Sequence, residues 1–475
     1  MKTSVIRNYL YNISYQFLIL VLPLITTPYI SRVLGADGVG AFGYTESITQ
    51  YFVLFGCVGL NLYGQREIAY CQSNLVKRSE VFWELLIVRV MTVSIALIIY
   101  VFTVCNIKEY QYLFKIQIIE VLTAMIDISW FFQGMEEFKK IVIRNALVKI
   151  CGVILTFLLV KEKNDLNRYA FICVFTLFFG NLSMWLYCSQ FIQKIKSSEL
   201  NIRRHIKPAL ILFVPQIATN MYNLLDKSMI GFLTKSDVEV AYYEQAQKIM
   251  KMALSIPTAL GTVMLPRIAS MFEKGKNDAI KIYLNESLQF ICMLSFPLCM
   301  GLCVISKGFV PWFFGSGYEK VVGNLIILSP IIVIVGISNV IGVQYLLPIG
   351  RQKQYTYSVV IGTLVNFTLN MVAIPKLLSY GAAIASIIAE LAVSGSQLYM
   401  VREIFPIKVM IRKVYKYIAA SMIMAIFVKQ WYLWNLDDMC TTMLQILSGV
   451  VIYFISLLLM REKMILNFVK NVMKI

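Results

Sequence analysis

The chain has 475 residues, of which 59% are hydrophobic and 15% are charged, and its mean hydropathy is +0.71. Soluble domains are about 45–50% apolar, so this composition indicates an integral membrane protein and excludes a soluble enzyme. A net charge of +18 would suggest a nucleic-acid partner for a soluble protein. Here the cations lie between apolar runs, and we predict no nucleic-acid partner.

Apolar runs predict the fold. A bilayer core about 30 Å thick needs about 20 helical residues per crossing, which predicts an all-α membrane protein with about fourteen spans. In chain order these are 12–33, 39–64, 81–104, 112–133, 141–160, 169–191, 209–233, 245–270, 284–306, 322–347, 356–375, 381–401, 415–433 and 440–460. About 28 Lys and Arg residues lie in one set of alternate connecting segments and about 10 in the other, and cytoplasmic loops carry such an excess. Both termini are therefore predicted to be cytoplasmic.

An internal repeat predicts the organisation of the chain. The segment 26–48 aligns without gaps to 226–248 at a shift of 200 residues, and both copies would run in the same direction through the membrane. Transporters often consist of two such repeats. The predicted parts are an N-terminal lobe at 1–191, a basic cytoplasmic linker at 192–208, a C-terminal lobe at 209–401, and a C-terminal helix pair with its tail at 402–475.

Polar side chains recur at helical spacing within the apolar spans. They include Arg32 in the first span, Glu46 and Gln50 in the second, Glu120 and Asp127 in the fourth, Asn223, Asp226 and Lys227 in the seventh, Glu244, Lys248, Lys251 and Ser255 in the eighth, and Asn370 in the eleventh. Isolated amides and hydroxyls often only join helices, and cations near a span end can snorkel. Ionisable groups at membrane depth cost several kcal/mol unless water or a partner meets them. A hydrated cavity lined by both lobes explains these charges most economically.

Prolines inside the spans predict helix bends, which serve transporters as hinges but also occur in static membrane helices. They are Pro23, Pro28, Pro215, Pro257 and Pro297.

The sequence shows none of the common motifs for a metal, cofactor or catalytic site. The ten cysteines lie mostly within spans and are interpreted as apolar core residues, and the sole histidine, His205, falls in a basic loop. The sequence has neither a His/Cys cluster at ligand spacing nor a phosphate-binding glycine loop. We therefore predict no metal site, no cofactor and no catalytic residue.

Two stretches carry a family resemblance. The segments LPLITTPYISRVLGADGVGAFGYTESI and LLDKSMIGFLTKSDVEVAYYEQAQKIMKM, the latter followed by LPRIAS, resemble helical hairpins of the Wzx-type polysaccharide flippases. These belong to the multidrug/oligosaccharidyl-lipid/polysaccharide (MOP) exporter superfamily. The resemblance implies two six-helix lobes in a V shape around a cationic cavity, with two further C-terminal helices.

The resemblance also implies a function in the bacterial cytoplasmic membrane. Such flippases move undecaprenyl-pyrophosphate-linked oligosaccharides from the inner to the outer leaflet for capsule, exopolysaccharide or O-antigen assembly, alongside the polysaccharide polymerase machinery. No covalent chemistry is required, so we expect no enzyme activity. A hydrated groove would remove a barrier of about 4–8 kcal/mol for each stranded sugar hydroxyl.

Site residues can be carried over only where the pattern matches. Arg32 resembles the lumen arginine of the first helix, Asp226 and Lys227 the Asp-Lys pair of the seventh, and Lys248 and Lys251 the cationic stripe of the eighth. The full predicted substrate-binding set is Arg32, Asn223, Asp226, Lys227, Glu244, Lys248, Lys251, Ser255 and Asn370. The lumen of this chain also has acidic residues, which suggests coupling to protons or sodium through Glu46, Glu120 or Asp127.

Two other functions stay open. A cation-coupled multidrug exporter of the same superfamily would share the architecture, although acidic residues and an aromatic pocket should dominate its cavity. A membrane-embedded glycan polymerase would be expected to carry catalytic groups on a long outer loop, and the outer loops predicted here are short.

Overall fold

A computed structural model describes residues 2–195, 200–403, 407–434, 436–462 and 464–466. Within these ranges, side chains are described except at 2–20, 138, 214–215, 218–219, 222–223, 262–263, 277 and 407–413. The described chain is helical and contains no strand. This confirms the predicted all-α fold.

Sixteen α-helices occur in the described residues. They are α1 (Lys2–Cys57), α2 (Leu60–Tyr70), α3 (Leu75–Thr103), α4 (Gln111–Ile126), α5 (Ser129–Gly134), α6 (Phe138–Leu159), α7 (Leu166–Cys188), α8 (Arg203–Thr234), α9 (Asp237–Glu273), α10 (Asn277–Phe314), α11 (Glu319–Leu328), α12 (Ile331–Ile341), α13 (Gln352–Leu377), α14 (Ser379–Met400), α15 (Ile407–Lys429) and α16 (Asp438–Leu459). A π-helical turn over Gly342–Leu346 extends α12. Every predicted span coincides with helix to within a few residues.

The helices identify a multi-pass membrane protein. Nine helical segments among the described residues are long and apolar enough to cross a bilayer. The other helices do not meet these requirements of length and apolar composition. The count of fourteen crossings therefore stays a prediction.

Contacts divide the chain into two compact units. The first comprises Met1–Gly231 with Ser236–Val238, and the second comprises Phe232–Lys235 with Glu239–Ile475. This division falls in the last turn of α8, between Gly231 and Phe232, whereas the sequence predicts that the second lobe begins at residue 209. The predicted lobe boundaries stay a prediction, but α8 packs with the first unit.

The internal repeat recurs in the backbone. Gly35 interrupts α1 with φ 69° and ψ 176°. At the predicted shift of 200 residues, Lys235 has φ 52° between α8 and α9. A left-handed residue thus separates two helical segments at the same position of both copies.

The segment between α7 and α8 is docked on α3. Arg78 Nε donates to the carbonyl of Phe191 over 2.9 Å, and Trp83 Nε1 donates to the carbonyl of Gln193 over 3.1 Å. Much of the predicted basic linker is therefore held on the first unit by side chains of one helix.

His205 lies in the first turn of α8 rather than in a loop, and it is buried. Its Nε2 is 2.7 Å from Glu84 Oε2, and its Nδ1 is 2.8 Å from the hydroxyl of Tyr63. Glu84 also accepts a hydrogen bond from Arg204. This cluster ties the start of α8 to α2 and α3.

The helices continue through the prolines that were predicted to bend them. Pro23 and Pro28 lie inside α1, Pro257 inside α9 and Pro297 inside α10; residue 215 likewise lies within α8. The breaks lie elsewhere, at Gly35, at 58–59 and at 127–128.

Gly40 provides a test of packing in the first unit. A Cβ at Gly40 would lie 1.7 Å from the carbonyl oxygen of Asp237. Overpacking costs about 1–3 kcal/mol, so we expect Gly40→Ala to lower the thermal unfolding midpoint and the membrane abundance. Gly395→Ala is the matched control, because its Cβ would meet nothing within 4 Å and Ala is favoured over Gly within a helix by about 1 kcal/mol. Equal midpoints for both variants would contradict the packing.

Candidate functional site

Three predicted site residues from separate spans meet in the first unit. Lys227 Nζ of α8 lies 3.5 Å from Glu46 Oε2 of α1. Gln50 Nε2, one turn further along α1, donates to Glu120 Oε1 of α4. Residues four apart share a helix face, so these four side chains form one polar cluster, which we call the α1/α4/α8 cluster.

The cluster combines opposite charges in a shielded place. The Glu120 side chain is only slightly exposed, and the side chains of Lys227 and Glu46 are 12% and 34% exposed. Lys227 attracts the Glu120 carboxylate, while Glu46 repels it. With both glutamates ionised, the three charged groups sum to −1, and a single bound proton makes the cluster neutral.

Packing fixes the end of α8 against α1. The hydroxyls of Tyr51 and Ser228 lie 2.9 Å apart. A Cβ at Gly231 would lie 2.1 Å from Cδ2 of Tyr44, so only glycine permits this approach. Asp226, the other half of the predicted pair, is buried next to Lys227 in the sequence. These contacts set the position of Lys227.

A neutral network supports the cluster from within the unit. The side-chain amide of Gln117 lies 2.9 Å from Thr49 Oγ1 and 3.0 Å from Thr45 Oγ1. Thr49 Oγ1 is 3.1 Å from the hydroxyl of Tyr100, which in turn donates to the carbonyl of Phe114. This network holds α4 against α1, and Glu120 lies one turn beyond Gln117.

Asp127 does not join the cluster. Its Oδ1 accepts a hydrogen bond from the backbone N–H of Ser129 over 2.9 Å, and its Oδ2 lies 3.6 Å from Arg89. Asp127 therefore binds the first backbone N–H of α5 and pairs with an arginine. Of the three ion-coupling candidates, only Glu46 and Glu120 come together.

The predicted stripe on α9 lies in the second unit. Lys248 Nζ is 3.9 Å from Glu244 Oε1, and Lys251 Nζ donates to Gln247 Oε1 over 3.1 Å. Lys248 is 38% exposed and Lys251 is exposed, while Ser255 is half-buried. The stripe presents two accessible cations and one acidic partner on one helix face.

The remaining predicted residues divide by burial. Arg32 is exposed on α1. Asn370 is fully buried in α13, where its Nδ2 donates to Asn366 Oδ1 over 3.1 Å, so it packs between helices instead of meeting water in this conformation. The side chain of Asn223 lies outside the described residues.

Sequence reasoning missed two buried charged residues of α3, Glu84 and Arg89. Their signal was present, because an ionisable residue inside an apolar span marks a candidate site by default. Among the described residues, no group of three or more His, Cys, Asp or Glu side chains could hold a metal ion.

Comparisons with known proteins identify the family. Residues 5–272 match the family model of "Polysaccharide biosynthesis protein", and residues 212–372 match that of "MatE". Over 409 residues the chain is 25% identical to a protein of Escherichia coli (strain K12) named "Putative O-antigen transporter", covering 84% of this chain and 97% of that protein. A protein of the same name in Shigella dysenteriae is 26% identical and is 90% covered, over 76% of this chain.

A solved structure shares the fold. The lipid II flippase MurJ in an inward closed conformation aligns with a TM-score of 0.72 at 18% identity, over 96% of this chain and 99% of that one. Because the first family model spans more than half of the 475 residues, the chain belongs to the polysaccharide biosynthesis protein family, within the Wzx-type branch of the MOP exporter superfamily that its helical hairpins resemble.

Proposed function

We propose that the protein flips an undecaprenyl-pyrophosphate-linked oligosaccharide from the inner to the outer leaflet of a bacterial cytoplasmic membrane, with both termini in the cytoplasm. The repeat unit would serve O-antigen, capsule or exopolysaccharide assembly, together with the polymerase machinery. Support comes from the family, from the relatives named as O-antigen transporters, and from the fold shared with a lipid II flippase.

The observation that carries the proposal is the α1/α4/α8 cluster. Contacts bring together one Lys and two Glu side chains from α1, α4 and α8, inside the predicted spans 39–64, 112–133 and 209–233. Such groups are costly at membrane depth and are kept where a transport pathway needs them. A purely structural joint would not require an excess carboxylate.

The α9 stripe and the α1/α4/α8 cluster differ in charge and would bind different parts of the substrate. The α9 stripe offers the accessible cations Lys248 and Lys251, which suit a pyrophosphate because ammonium groups donate to its oxygens in charge-assisted hydrogen bonds. The α1/α4/α8 cluster has an acidic excess and would repel phosphate. It suits sugar hydroxyls or a coupling cation.

We further propose that the coupling ion is a proton. Sodium prefers a cage of oxygen ligands, whereas the glutamates of this cluster are met by donors, the ammonium of Lys227 and the amide of Gln50. An added metal cation would be repelled by Lys227. A proton needs no such cage and removes the excess negative charge.

Glu120→Gln tests the coupling. The amide is isosteric with the carboxyl group but cannot exchange a proton. In proteoliposomes we expect a gradient of one pH unit to accelerate flipping by the wild type and not by this variant. Such a gradient supplies about 1.4 kcal/mol per proton, a factor of about ten in the equilibrium distribution of a coupled substrate. The exposed Glu273→Gln is the matched control and should respond as the wild type does. Acceleration of the wild type by a sodium gradient alone would contradict proton coupling.

A multidrug exporter is the alternative that a specific observation favours, because residues 212–372 match the MatE model. The two functions differ in substrate charge. An exporter of cationic drugs should lower the drug sensitivity of a host strain and should not alter lipid-linked sugars. Depletion of the protein in its own host separates them: we expect the lipid-linked repeat unit to accumulate in the inner leaflet. Unchanged leaflet distribution with increased drug sensitivity would favour the exporter.

A further inference from the structure

Two predicted spans of the first unit are broken in the structure. Between α1 and α2, Val58 has φ 44° and Gly59 has φ 71°. Between α4 and α5, Asp127 leaves the helix with φ −71° and ψ 112°. The breaks fall inside the predicted spans 39–64 and 112–133, and neither contains a proline.

A single arginine contacts both breaks. At the first, Arg89 donates to Asn61 Oδ1 over 2.8 Å and lies 3.4 Å from Cys57 Sγ. At the second, it donates to the carbonyl of Ala124 over 2.6 Å and lies 3.6 Å from Asp127 Oδ2. The guanidinium is buried. The donors of the guanidinium are fixed in one plane. If one break shifts and the guanidinium follows it, the hydrogen bonds of Arg89 at the other break must change as well.

Side chains from other helices meet two of the free carbonyls at the second break. Arg89 donates to a carbonyl at the C-terminus of α4, and Trp185 Nε1 donates to the carbonyl of Ile126 over 2.8 Å. Asp127 Oδ1 accepts a hydrogen bond from the backbone N–H of Ser129, the first residue of α5. A cation at a helix C-terminus and an anion at a helix N-terminus both match the helix dipole. The break is a built feature and not local fraying.

The short helices beyond the breaks are packed as a pair. A Cβ at Gly64 of α2 would lie 2.5 Å from the ring of Trp130 in α5. A Cβ at Gly134 of α5 would lie 2.7 Å from the carbonyl oxygen of Gln65 in α2. The two helices touch along their backbones, so any displacement of one carries the other.

Val58 supplies an independent observation. A β-branched residue with positive φ is a genuine outlier, and such conformations are retained mainly at functional and switching sites. Continuing α1 as a helix through Val58 would relieve this residue. This outlier marks the first break as a candidate hinge.

We propose that Arg89 couples hinges at Val58–Gly59 and Asp127–Ile128, so that α2 and α5 swing as one body during the transport cycle. The start of α8 moves with them, because Tyr63 and His205 join it to α2. The inference rests on the proposed flipping function, because a hinge needs a cycle in which to act. Arg89 is a positioning residue in this scheme and does not contact substrate.

The first test removes the backbone strain at Val58, whose φ is 44°. Val58→Gly favours the broken conformation, so we expect it to raise the thermal unfolding midpoint and to slow flipping about tenfold, the factor that follows from stabilising one hinge state by the size of one such strain. Val58→Ala should lie between glycine and valine. Arg461→Gly is the matched control, since it relieves a φ of 51° in the second unit and should not slow flipping. Faster or unchanged flipping by Val58→Gly would mean that the break is static.

The second test reads the other break and needs no transport. Spin labels at the exposed Tyr112 of α4 and at the exposed Glu136 beyond α5 report the distance across the second break. The background lacks the other accessible cysteines but keeps the buried Cys57, because Cys57 contacts Arg89. We expect two distance populations in the wild type and one in Val58→Gly. In Arg89→Lys, which keeps the charge but loses the fork, Val58→Gly should leave both populations.

A milder variant keeps the coupling testable if Arg89→Lys does not fold. Asn61 is exposed, and Asn61→Ala removes one contact of Arg89 with the first break. It should weaken the response across the second break. An undiminished response in both variants would overturn the coupling, and one unchanging distance in the wild type would overturn the hinge. A wild type that shows both populations but flips no lipid-linked sugar would contradict only the proposed function.

Discussion

Replacing Lys227 with methionine is expected to slow flipping about 10- to 100-fold. Methionine keeps the length and apolar stem of the side chain but removes its charge. Glu46 then loses its ion-pair partner at 3.5 Å, and the ammonium group no longer offsets the repulsion between Glu46 and Glu120. Loss of a hydrogen-bonded, shielded charge costs about 1.5–3 kcal/mol, which converts to that factor in rate. The measurement is the initial flipping rate in proteoliposomes with protein content matched.

A double variant separates charge balance from substrate contact. Glu46→Gln together with Lys227→Met has the same net charge in the cluster as the wild type. If Lys227 acts only by balancing Glu46, this pair restores most of the rate. If Lys227 also meets the substrate, the double variant stays slow. A Lys227→Met protein that flips at the wild-type rate would remove the cluster from the transport pathway.

Reversing the charges of the α9 stripe should have the largest effect. Lys248→Glu with Lys251→Glu replaces two accessible cations by two anions beside Glu244. Each lost charge-assisted contact costs about 1.5–3 kcal/mol, so a pyrophosphate-bearing substrate should bind about 10²–10⁴-fold more weakly. We expect flipping to fall below detection at substrate concentrations that saturate the wild type.

The control for this variant reverses two lysines that lie outside the α9 stripe, so that the net charge of the protein changes equally. Lys274→Glu with Lys276→Glu alters two exposed residues between α9 and α10, and this protein should flip at close to the wild-type rate. An equal loss in both double variants would show a general effect of net charge. Retained flipping after reversal of the stripe would place the phosphate contacts elsewhere.

Sequence patterns predict the helices well but not their breaks. Apolar length alone places the eighth span, 245–270, inside α9 (Asp237–Glu273), because crossing a bilayer sets a minimum length. The break at Asp127 was not predictable in this way. It depends on Arg89 and Trp185, which reach it from α3 and α7, and no local pattern records such distant partners.

The candidate site was predictable by residue type but not by arrangement. Ionisable groups in apolar spans drew attention to Glu46, Glu120 and Lys227, and the structure joins them through Gln50. Asp127 had the same signal, yet it pairs with Arg89 in a different place. Helical spacing orders residues within one span, whereas the partner across helices is set by tertiary packing.

The most direct measurement of the central claim is flipping of a purified lipid-linked oligosaccharide by purified protein in liposomes. A membrane-impermeant reagent that modifies the sugar in the outer leaflet reports the accessible fraction over time. We predict that the accessible fraction rises from about half to nearly all of the lipid with the wild type, and stays at about half with the Lys248→Glu, Lys251→Glu variant. An accessible fraction that stays at about half with correctly folded wild-type protein would contradict the account.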